Sequence, residues 1–503
     1  MSDIALGITS VLTPSVLLLM LAGTVMGIIV GAIPGLTVTM GVALFLPITY
    51  GMDPVAGLSL LCALYIGGTS GGLISAMLLQ IPGTPASVAT CFDGHPLAVK
   101  GEAGKALGIG IVTSFFGGLF SFIVLMFLAP HIAKIALKFG PYEYFSVGVF
   151  SLMMIASLSN GSLVKGLISA FIGFAASFVG IAPVTSFSRF TFGIAKLRTG
   201  FSLLPALIGL FAISQIMIAF EDKNKKIDSS VRDYSIKGFG FGLKDVRGQG
   251  KNFLVSALIG TGIGILPGLG GGICNIIAYS TVKNMSKYPE KFGTGVVDGI
   301  IASETSNNAS CGGALVPLMT LGIPGDNTTA IILAGFMVHG ITPGPLLFEN
   351  EGPLVYGIFT ALIVSNFFML IAEYVGMRGF VKILNVPTNL LMPIITVFCV
   401  IGAYGVNNRV FEIYVMLGFG LLGYVMKKLD IPLAPIILGF ILGPIIELYL
   451  RSGLQKSHGS FMPFITSPIS GVFLLITVIV LCMTVYSEIK KYRQNRKCKI
   501  YLR

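Results

Sequence analysis

The chain has 503 residues, of which only 11% are charged, while 54% are hydrophobic and the mean hydropathy is +0.89. An ordinary soluble domain carries about 25% charged residues, so a fold of this length could not cover itself in water, a cytosolic enzyme is excluded, and the bilayer is the solvent. The net charge of +12 lies in short loops and in the tail KKYRQNRKCK, where it reports topology and anionic headgroups rather than nucleic acid.

Taken in chain order, residues 1–13 contain no Lys or Arg, so no cleaved signal peptide is expected. Apolar runs then recur from Pro14 to Val485, each of about 20 residues and long enough to cross a hydrocarbon core of about 30 Å as a helix. The expected fold class is an all-α polytopic membrane protein of about 11–12 transmembrane segments. Beyond the first runs, spans are expected near 104–129, 141–158, 163–182 and 203–220, then near 353–376, 390–406, 410–426, 431–449 and 463–487. Seven cysteines, Cys62, Cys91, Cys274, Cys311, Cys399, Cys482 and Cys498, lie mostly in apolar stretches with no CxxC pair, and read as buried small hydrophobes.

The first run contains GTVMGIIVGAIPGLTV and a later one contains GTGIGILPGLGGG. Gly27, Gly31, Pro34, Gly35 and Leu36 pair with Gly260, Gly264, Pro267, Gly268 and Leu269 at one offset of 233 residues, that is 267 less 34. A second match sets GGLISAMLLQIPGTPAS (71–87) against GGALVPLMTLGIPGDNTT (312–329), with Pro82 and Pro324 at an offset of 242, the extra residues falling in KNMSKYPEK. The expected organisation is a first transmembrane repeat at 1–220, a basic cytoplasmic linker at 221–252, a second repeat at 253–487 and a basic cytoplasmic tail at 488–503.

Loop charge predicts that the repeats are inverted. After the first Pro-Gly element one repeat has YGMDP with no cation, where the other has Lys283, Lys287 and Lys291; after the Ile-Pro-Gly element Lys100 and Lys105 face PGPLLFENE with Glu349 and Glu351. Short loops rich in Lys and Arg stay in the cytoplasm, which places 93–105, 221–251, 283–291 and the tail there and the N-terminus outside. Arg189, Lys196 and Arg198 fall on the outer side, and an interfacial amphipathic segment is expected for them.

Inverted repeats with Gly/Pro-broken hydrophobic segments at matching positions point to a secondary-transporter site at the bilayer midplane. Pro removes a backbone donor and clashes with the preceding turn, so AIPGL and ILPGL should break their helices, and such breaks are tolerated only where buried in protein or lining a watery cavity. Half-helix N-termini suit an anion and unwound carbonyls suit Na⁺. The polar residues agree: Thr37 and Thr39 follow the first break, Thr84, Ser87 and Thr90 the second, Gly270 and Asn275 the third, and Asp326, Asn327, Thr328 and Thr329 the fourth. SETSNNAS adds Glu304, Thr305, Asn307 and Asn308 as candidate ligands, with Asn308, Asp326, Asn327 and nearby carbonyls as the candidate Na⁺ set. Asp298 is read as flanking a headgroup region, His95 and His339 as loop histidines near opposite faces, and His131 and His458 as ordinary loop residues. No His is followed by Glu and no P-loop occurs, so neither a metalloprotease nor ATP hydrolysis is encoded. A channel and an ABC-type permease, the latter from GEAGKALGIG (101–110), are the alternatives.

At GAIPGLTVTMGVALFLPITYGMDPVAGL, LLQIPGTPAS, FDGHPLAVKGEAGKALG, GILPGLGGG, ASETSNNASCGG and LGIPGDNTTAIILAGFMVHGITPGPLLF, the chain resembles the large membrane subunit of the tripartite tricarboxylate transporter family, over about residues 15–485. Two positions depart from the common pattern: DGHP replaces DGYP, and Gln80 stands where Asn is frequent. The resemblance implies a permease working with a small four-helix membrane subunit and an extracytoplasmic binding protein that delivers an organic anion such as citrate, in a bacterial inner membrane. It implies that Pro34, Gly35, Pro82, Gly83, Pro267, Gly268, Pro324 and Gly325 build the translocation site, with no cofactor and with Na⁺ or H⁺ as the coupling ion. Abundant neutral oxygen ligands and scarce intramembrane acids favour Na⁺, and a scaffold built for elevator motion favours a homodimer.

Overall fold

The computed structural model describes residues 2–158, 162–182, 185–221, 240–268, 270–383 and 388–501. Most of the linker, 222–239, lies outside the described residues. Among the described residues the chain is helical apart from one antiparallel ladder of two short strands, Gly180–Ile181 with Ser188–Arg189.

The first half is built from α1 (Asp3–Val11), α2 (Pro14–Ala32), α3 (Val38–Phe45), α4 (Pro54–Leu79), α5 (Thr90–Leu97), α6 (Ala103–Ala136), α7 (Pro141–Leu158), α8 (Leu163–Ser177) and α9 (Leu203–Glu221). The second half has α10 (Gly250–Ile265), α11 (Gly270–Met285), α12 (Val297–Leu321), α13 (Asn327–Val338), α14 (Gly352–Ile383), α15 (Thr388–Gly405), α16 (Val410–Lys428), α17 (Ala434–Lys456) and α18 (Pro468–Tyr501). Among the described residues, eight helices are long and apolar enough to cross a membrane: α2, α4, the run Thr90–Ala136 through α6, α9, α14, α16, α17 and α18. A helix lies at each span expected at 104–129 and from 141 onward, but those at 141–158, 163–182 and 390–406, which are α7, α8 and α15, are not among the eight, and α8 ends at Ser177. His131, read as a loop residue, lies within α6, which runs on through Pro130 to Ala136.

The local chemistry explains the ends. Pro34 cannot donate an N–H, so α2 stops, and Ile33-Pro34-Gly35-Leu36 closes a tight turn in which Leu36 N donates to Ile33 O at 3.2 Å and Gly35 takes φ +90°. Pro at the second and Gly at the third position of such a turn is what its dihedrals require. In the second half Gly268 likewise has φ +80° after Pro267. α4 starts where the Asp53 side chain accepts from Val55 N with Pro54 in the first turn, and both α4 and α12 end on a left-handed residue, Gln80 and Gly322.

Glycine sets the packing of both halves. A Cβ on Gly27 or Gly31 would strike the α4 backbone at Leu64 and Gly68, and one on Gly260 or Gly264 would strike α12 at Ser306 and Ser310. The repeat glycines therefore hold α2 on α4 and α10 on α12 at backbone distance, as small-residue crossings in membranes do. α4 and α12 are buried throughout, while α18 shows Leu475, Val478 and Met483 outward, the composition of a lipid-facing helix.

α4 and α12 run in opposite senses. The start of α4 packs at Gly57 against His339, and Gly344, close by in sequence, donates to Met319 O near the end of α12. The other ends meet around α5, where His95 Nδ1 lies 3.0 Å from Met77 O and Gly299 packs against Asp93. There the loops 93–105, 240–251 and 283–298 interlock: Asp93 Oδ1 accepts from the backbone of Gly293, Gly295 and Val296, Lys105 pairs with Asp245 at 2.7 Å, and Lys100 donates to Thr294 O. The Gly242 backbone amide and then Lys105 hold the Asp245 carboxyl below the usual carboxylate range. Asp298, read as flanking a headgroup region, accepts from Asn252 and Gln249 at this end.

Arg189 departs from expectation. Instead of an amphipathic segment, the described part of 180–199 is the short ladder and a turn at Ala195–Thr199. Arg189 forks onto Glu447 at 2.8 and 3.0 Å and lies over the Phe178 ring, because a guanidinium beside a buried carboxylate gains more from a bidentate pair than from the interface. Phe187, Phe190 and Phe192 of this stretch are exposed.

Candidate functional site

The four breaks converge. A cavity of about 1070 Å³ is lined by Thr37, Val38 and Thr39 after the first break, Thr84, Pro85 and Ala86 after the second, Gly268 and Gly270–Ile273 after the third, and Asp326, Asn327 and Thr328 after the fourth. Each group begins a helix or a helical turn, so four N-terminal ends share one space. Free N–H groups and the positive end of the helix dipole make such ends a site for negative charge.

The breaks are locked by matched bonds. In the second, Thr84 N donates to Ser87 Oγ at 3.2 Å; in the fourth, Asp326 N donates to Thr329 Oγ1 at 2.8 Å. Asp326 Oδ1 also accepts from Thr329 N at 2.7 Å, capping α13, and Thr37 Oγ1 caps α3 by accepting from Met40 N. Gly268 N donates to Gly325 O at 2.7 Å, tying the third break to the fourth, and Thr39 and Thr328 share a hydroxyl bond of 2.9 Å across the halves.

The depth of the cavity follows from α4. Tyr65 and Thr69 line it, and both lie near the middle of a helix of 26 residues. From there it reaches Lys427, Asp430 and the stretch Ile431–Ala434. α16 begins at the opposite end, where Asn407 donates to Ser202 and to Glu412. That other end holds a second cavity of about 480 Å³ lined by Tyr50, Ser202, His339 and Asn407. Burial there lowers the pKa of His339 and, with Glu412 nearby, raises that of Tyr50.

Of the sequence candidates, Thr37, Thr39, Thr84, Gly268, Gly270, Asn307, Asp326, Asn327 and Thr328 line the cavity. Pro34, Gly35, Pro82, Gly83, Pro267, Pro324 and Gly325 form the turns behind that lining, and Ser87 locks one of them. Asn275 donates to Ala86 O, fastening α11 to the second break. Glu304 is fully buried behind the lining and accepts from Thr90 and from Ser114 Oγ. Thr305 turns its carbonyl to Gly117 of α6. Asn308 gives its amide to the Glu304 carbonyl of its own helix, so of the candidate Na⁺ set only Asp326 and Asn327 line the cavity.

Sequence reasoning missed Tyr65, Thr69, Gln215, Ser310, Cys311, Lys427 and Asp430, which also line the cavity. Lys427 Nζ donates to Gln215 Oε1 at 2.7 Å, and it is the lysine among the lining residues. Cys311, like Cys62, Cys91, Cys274 and Cys399, is a buried free thiol.

The chain matches the model of the family described as Tripartite tricarboxylate transporter TctA family over residues 17–438. It is 34% identical over 494 residues to a protein of Agrobacterium vitis described as an uncharacterized 52.8 kDa protein in the TAR-I ttuC' 3' region, covering 98% of each chain. A second Agrobacterium vitis protein, from the TAR-II ttuC' 3' region, is 35% identical over 236 residues, which is 47% of this chain and 98% of that protein. No solved structure matches the chain.

Proposed function

The chain belongs to the tripartite tricarboxylate transporter TctA family and is one of its multi-pass membrane transporter subunits, and from that premise we propose that it imports a small organic anion through the four-break cavity. The observation that carries this reading is the convergence of four helical N-terminal ends on one space that Lys427 also lines, an arrangement with the polarity for a carboxylate substrate. The negative charge of Asp326 is already engaged, by the α13 cap and by the Tyr65 hydroxyl, so it does not repel an anion as a bare carboxylate would.

In this reading the interlocked basic loops lie in the cytoplasm of a bacterial inner membrane, as does the C-terminus. The cavity, running from the middle of α4 to Lys427–Ala434, then faces inward. The antiparallel course of α4 and α12 supports halves inserted in opposite senses. A tricarboxylate such as citrate, or a related organic acid, arrives from an extracytoplasmic binding protein, and a small four-helix subunit and a second copy complete the assembly. Uptake is driven by a Na⁺ or H⁺ gradient, the cation offsetting substrate charge, and the repeat-built unit moves against α7–α9 and α15–α17 for alternating access.

The test is uptake of labelled citrate and a panel of dicarboxylates into proteoliposomes holding this chain, its small partner and its binding protein, under an imposed Na⁺ or proton gradient without ATP. Accumulation that requires the binding protein supports the reading. Equilibration without accumulation would indicate a channel, and uptake only with ATP and an added ATPase an ABC-type permease.

A further inference from the structure

We propose that the short ladder and the turn after it form a site for anionic phospholipid in the leaflet far from Lys427. Phe187, Phe190 and Phe192 enter the acyl chains there, while Lys196 and Arg198 meet the headgroup phosphates. The site lies outside the anion cavity and depends on neither the substrate nor the coupling ion.

Two helices fix the depth. α9 runs from Leu203 to Glu221, 19 residues, or about 28 Å at about 1.5 Å per residue. Its last residue lies at water, where Glu221 pairs with Lys428 and both are about half-exposed. Its start, next to Ser202, therefore lies near the far edge of a hydrocarbon core of about 30 Å. α17 begins at Ala434, shortly after Leu429, whose carbonyl accepts from Lys165 in the first turn of α8. Glu447 stands 13 residues on, 447 less 434, and so about 20 Å further out. Arg189 of the ladder is clasped to Glu447, and Arg198 comes four residues before Ser202. The stretch from Arg189 to Arg198 is thus bracketed between these two levels, in the far half of the core and at its boundary. α8 itself has 15 residues, or about 22 Å, and the ladder takes up the rest of its crossing.

At that depth the exposed side chains meet lipid. Phe187, Phe190 and Phe192 are 71%, 58% and 83% exposed, three large rings bare of protein within six residues of sequence. They continue the composition of α8, which exposes Val164, Ile168 and Phe171 at spacings of four and three residues, the stripe of a helix with one apolar outer face. Non-helical backbone so close to hydrocarbon must find its hydrogen bonds within the protein. The ladder pairs Gly180 with Arg189 and Ile181 with Ser188, and Ala182 N donates to Phe187 O at 2.9 Å. The charge carried in with it is also paired, since Glu447 binds both Arg189 and, at 2.8 Å, Arg451, as ionisable groups at membrane depth require.

Ser186, Phe190 and Phe192 hold φ of 53°, 52° and 48°. The left-handed conformation is costly for residues other than glycine, and burial of the rings among acyl chains offsets it. The headgroup side is supplied by the turn Ala195–Thr199, which packs back on the ladder through the Arg198 carbonyl at the Cβ position of Gly180. Lys196 and Arg198 on this turn are exposed, and among the described residues neither pairs with a carboxylate. Long basic side chains at the edge of the core carry their charge out to the phosphates, which selects an anionic headgroup.

The chain contains no Trp, so Phe190→Trp and Phe192→Trp each place a single reporter on an exposed position. The full chain is reconstituted in phosphatidylcholine vesicles, with Leu475→Trp on the lipid-facing α18 as the reference. Phosphatidylcholine brominated near the headgroup end of its chains should quench both ladder reporters more strongly than lipid brominated at the chain ends, and aqueous iodide on both sides should quench neither strongly. Quenching by iodide without effect of bromine would place the rings in water. Protection from both quenchers, with Leu475→Trp still quenched by bromine, would place them against a second copy of the chain. Either result overturns the site. For the headgroup, a minor fraction of brominated phosphatidylglycerol should quench Phe192→Trp at least twofold more than the same fraction of brominated phosphatidylcholine. Adding Lys196→Gln and Arg198→Gln should make the two lipids equal. No preference in Phe192→Trp, or an unchanged preference after both substitutions, overturns the assignment of the two cations.

Discussion

Tyr65 donates its hydroxyl to Asp326 Oδ2 at 2.7 Å, joining the middle of α4 to the cap of α13 across 261 residues of sequence. The bond holds the fourth break at the cavity and engages the carboxylate oxygen that the cap leaves over. Tyr65→Phe removes a hydrogen bond to a charged group, worth about 1.5–3 kcal/mol, and returns unshielded negative charge to the anion path. Anion uptake in proteoliposomes is expected to fall at least tenfold with normal membrane insertion. Uptake at the wild-type rate would show that the bond does not shape the path.

Asp93 is the counterpart at the interlocked end. One carboxylate oxygen accepts three backbone N–H groups, from Gly293, Gly295 and Val296 at 2.7–2.9 Å, and the other accepts from Tyr279 at 2.8 Å. A side chain of the first half thus supplies the acceptor for the loop that leads into α12. Asp93→Ala leaves buried donors unpaired, so the expected loss is roughly 3 kcal/mol or more, read as a lower midpoint of thermal unfolding. Asp93→Asn, which keeps one acceptor, should lose less. Equal stability of wild type and Asp93→Ala would refute the clamp.

Much of this architecture is legible in the residues. The Pro-Gly elements announce breaks because proline cannot donate and glycine takes the positive φ of Gly35 and Gly268 cheaply, Gly83 and Gly325 of the Ile-Pro-Gly elements sit where a Cβ would strike packed neighbours, and polar residues just after the first, second and fourth breaks line the cavity. What was hidden depends on neighbours remote in sequence. Tyr65 sits in an unbroken apolar run and reads as core until Asp326 is placed beside it. Lys427 reads as one of a cytoplasmic pair with Lys428, yet Lys427 turns to Gln215 and the cavity while Lys428 pairs outward with Glu221. Thr305 and Asn308 share a polar segment with Asn307, but a helix turns about 100° per residue, so of these three only Asn307 lines the cavity.

Gln80 ends α4 at φ 58°, the position that Gly322 occupies at the end of α12. A non-glycine residue pays about 1–2 kcal/mol for the left-handed conformation, less for Asn. Gln80→Gly should therefore raise stability by about 1 kcal/mol, reduced by the greater freedom glycine gives the unfolded chain. Gln80→Val, with a branched side chain at the same φ, should lower it. Thermal unfolding of the two variants in detergent gives the order, and Val above Gly would contradict the strain argument.

Lys427 offers the sharpest test of how the cavity holds charge. Its ammonium lies among the lining residues and donates to Gln215, so Lys427→Gln removes one full positive charge from the anion path without emptying the space. In a partly desolvated site a lost charge–charge contact is worth more than at the surface. Uptake should fall at least tenfold through a raised KM, with Lys427→Arg retaining part of it, because charge is kept while shape and donor geometry change. Lys428→Gln is the control: its pair with Glu221 is about half-exposed on both sides, and such pairs contribute only about 0–1 kcal/mol, so uptake should stay within roughly twofold. Equal losses in the two variants would mean that the basic end acts by general attraction of anions, and the assignment of Lys427 to the path would fall.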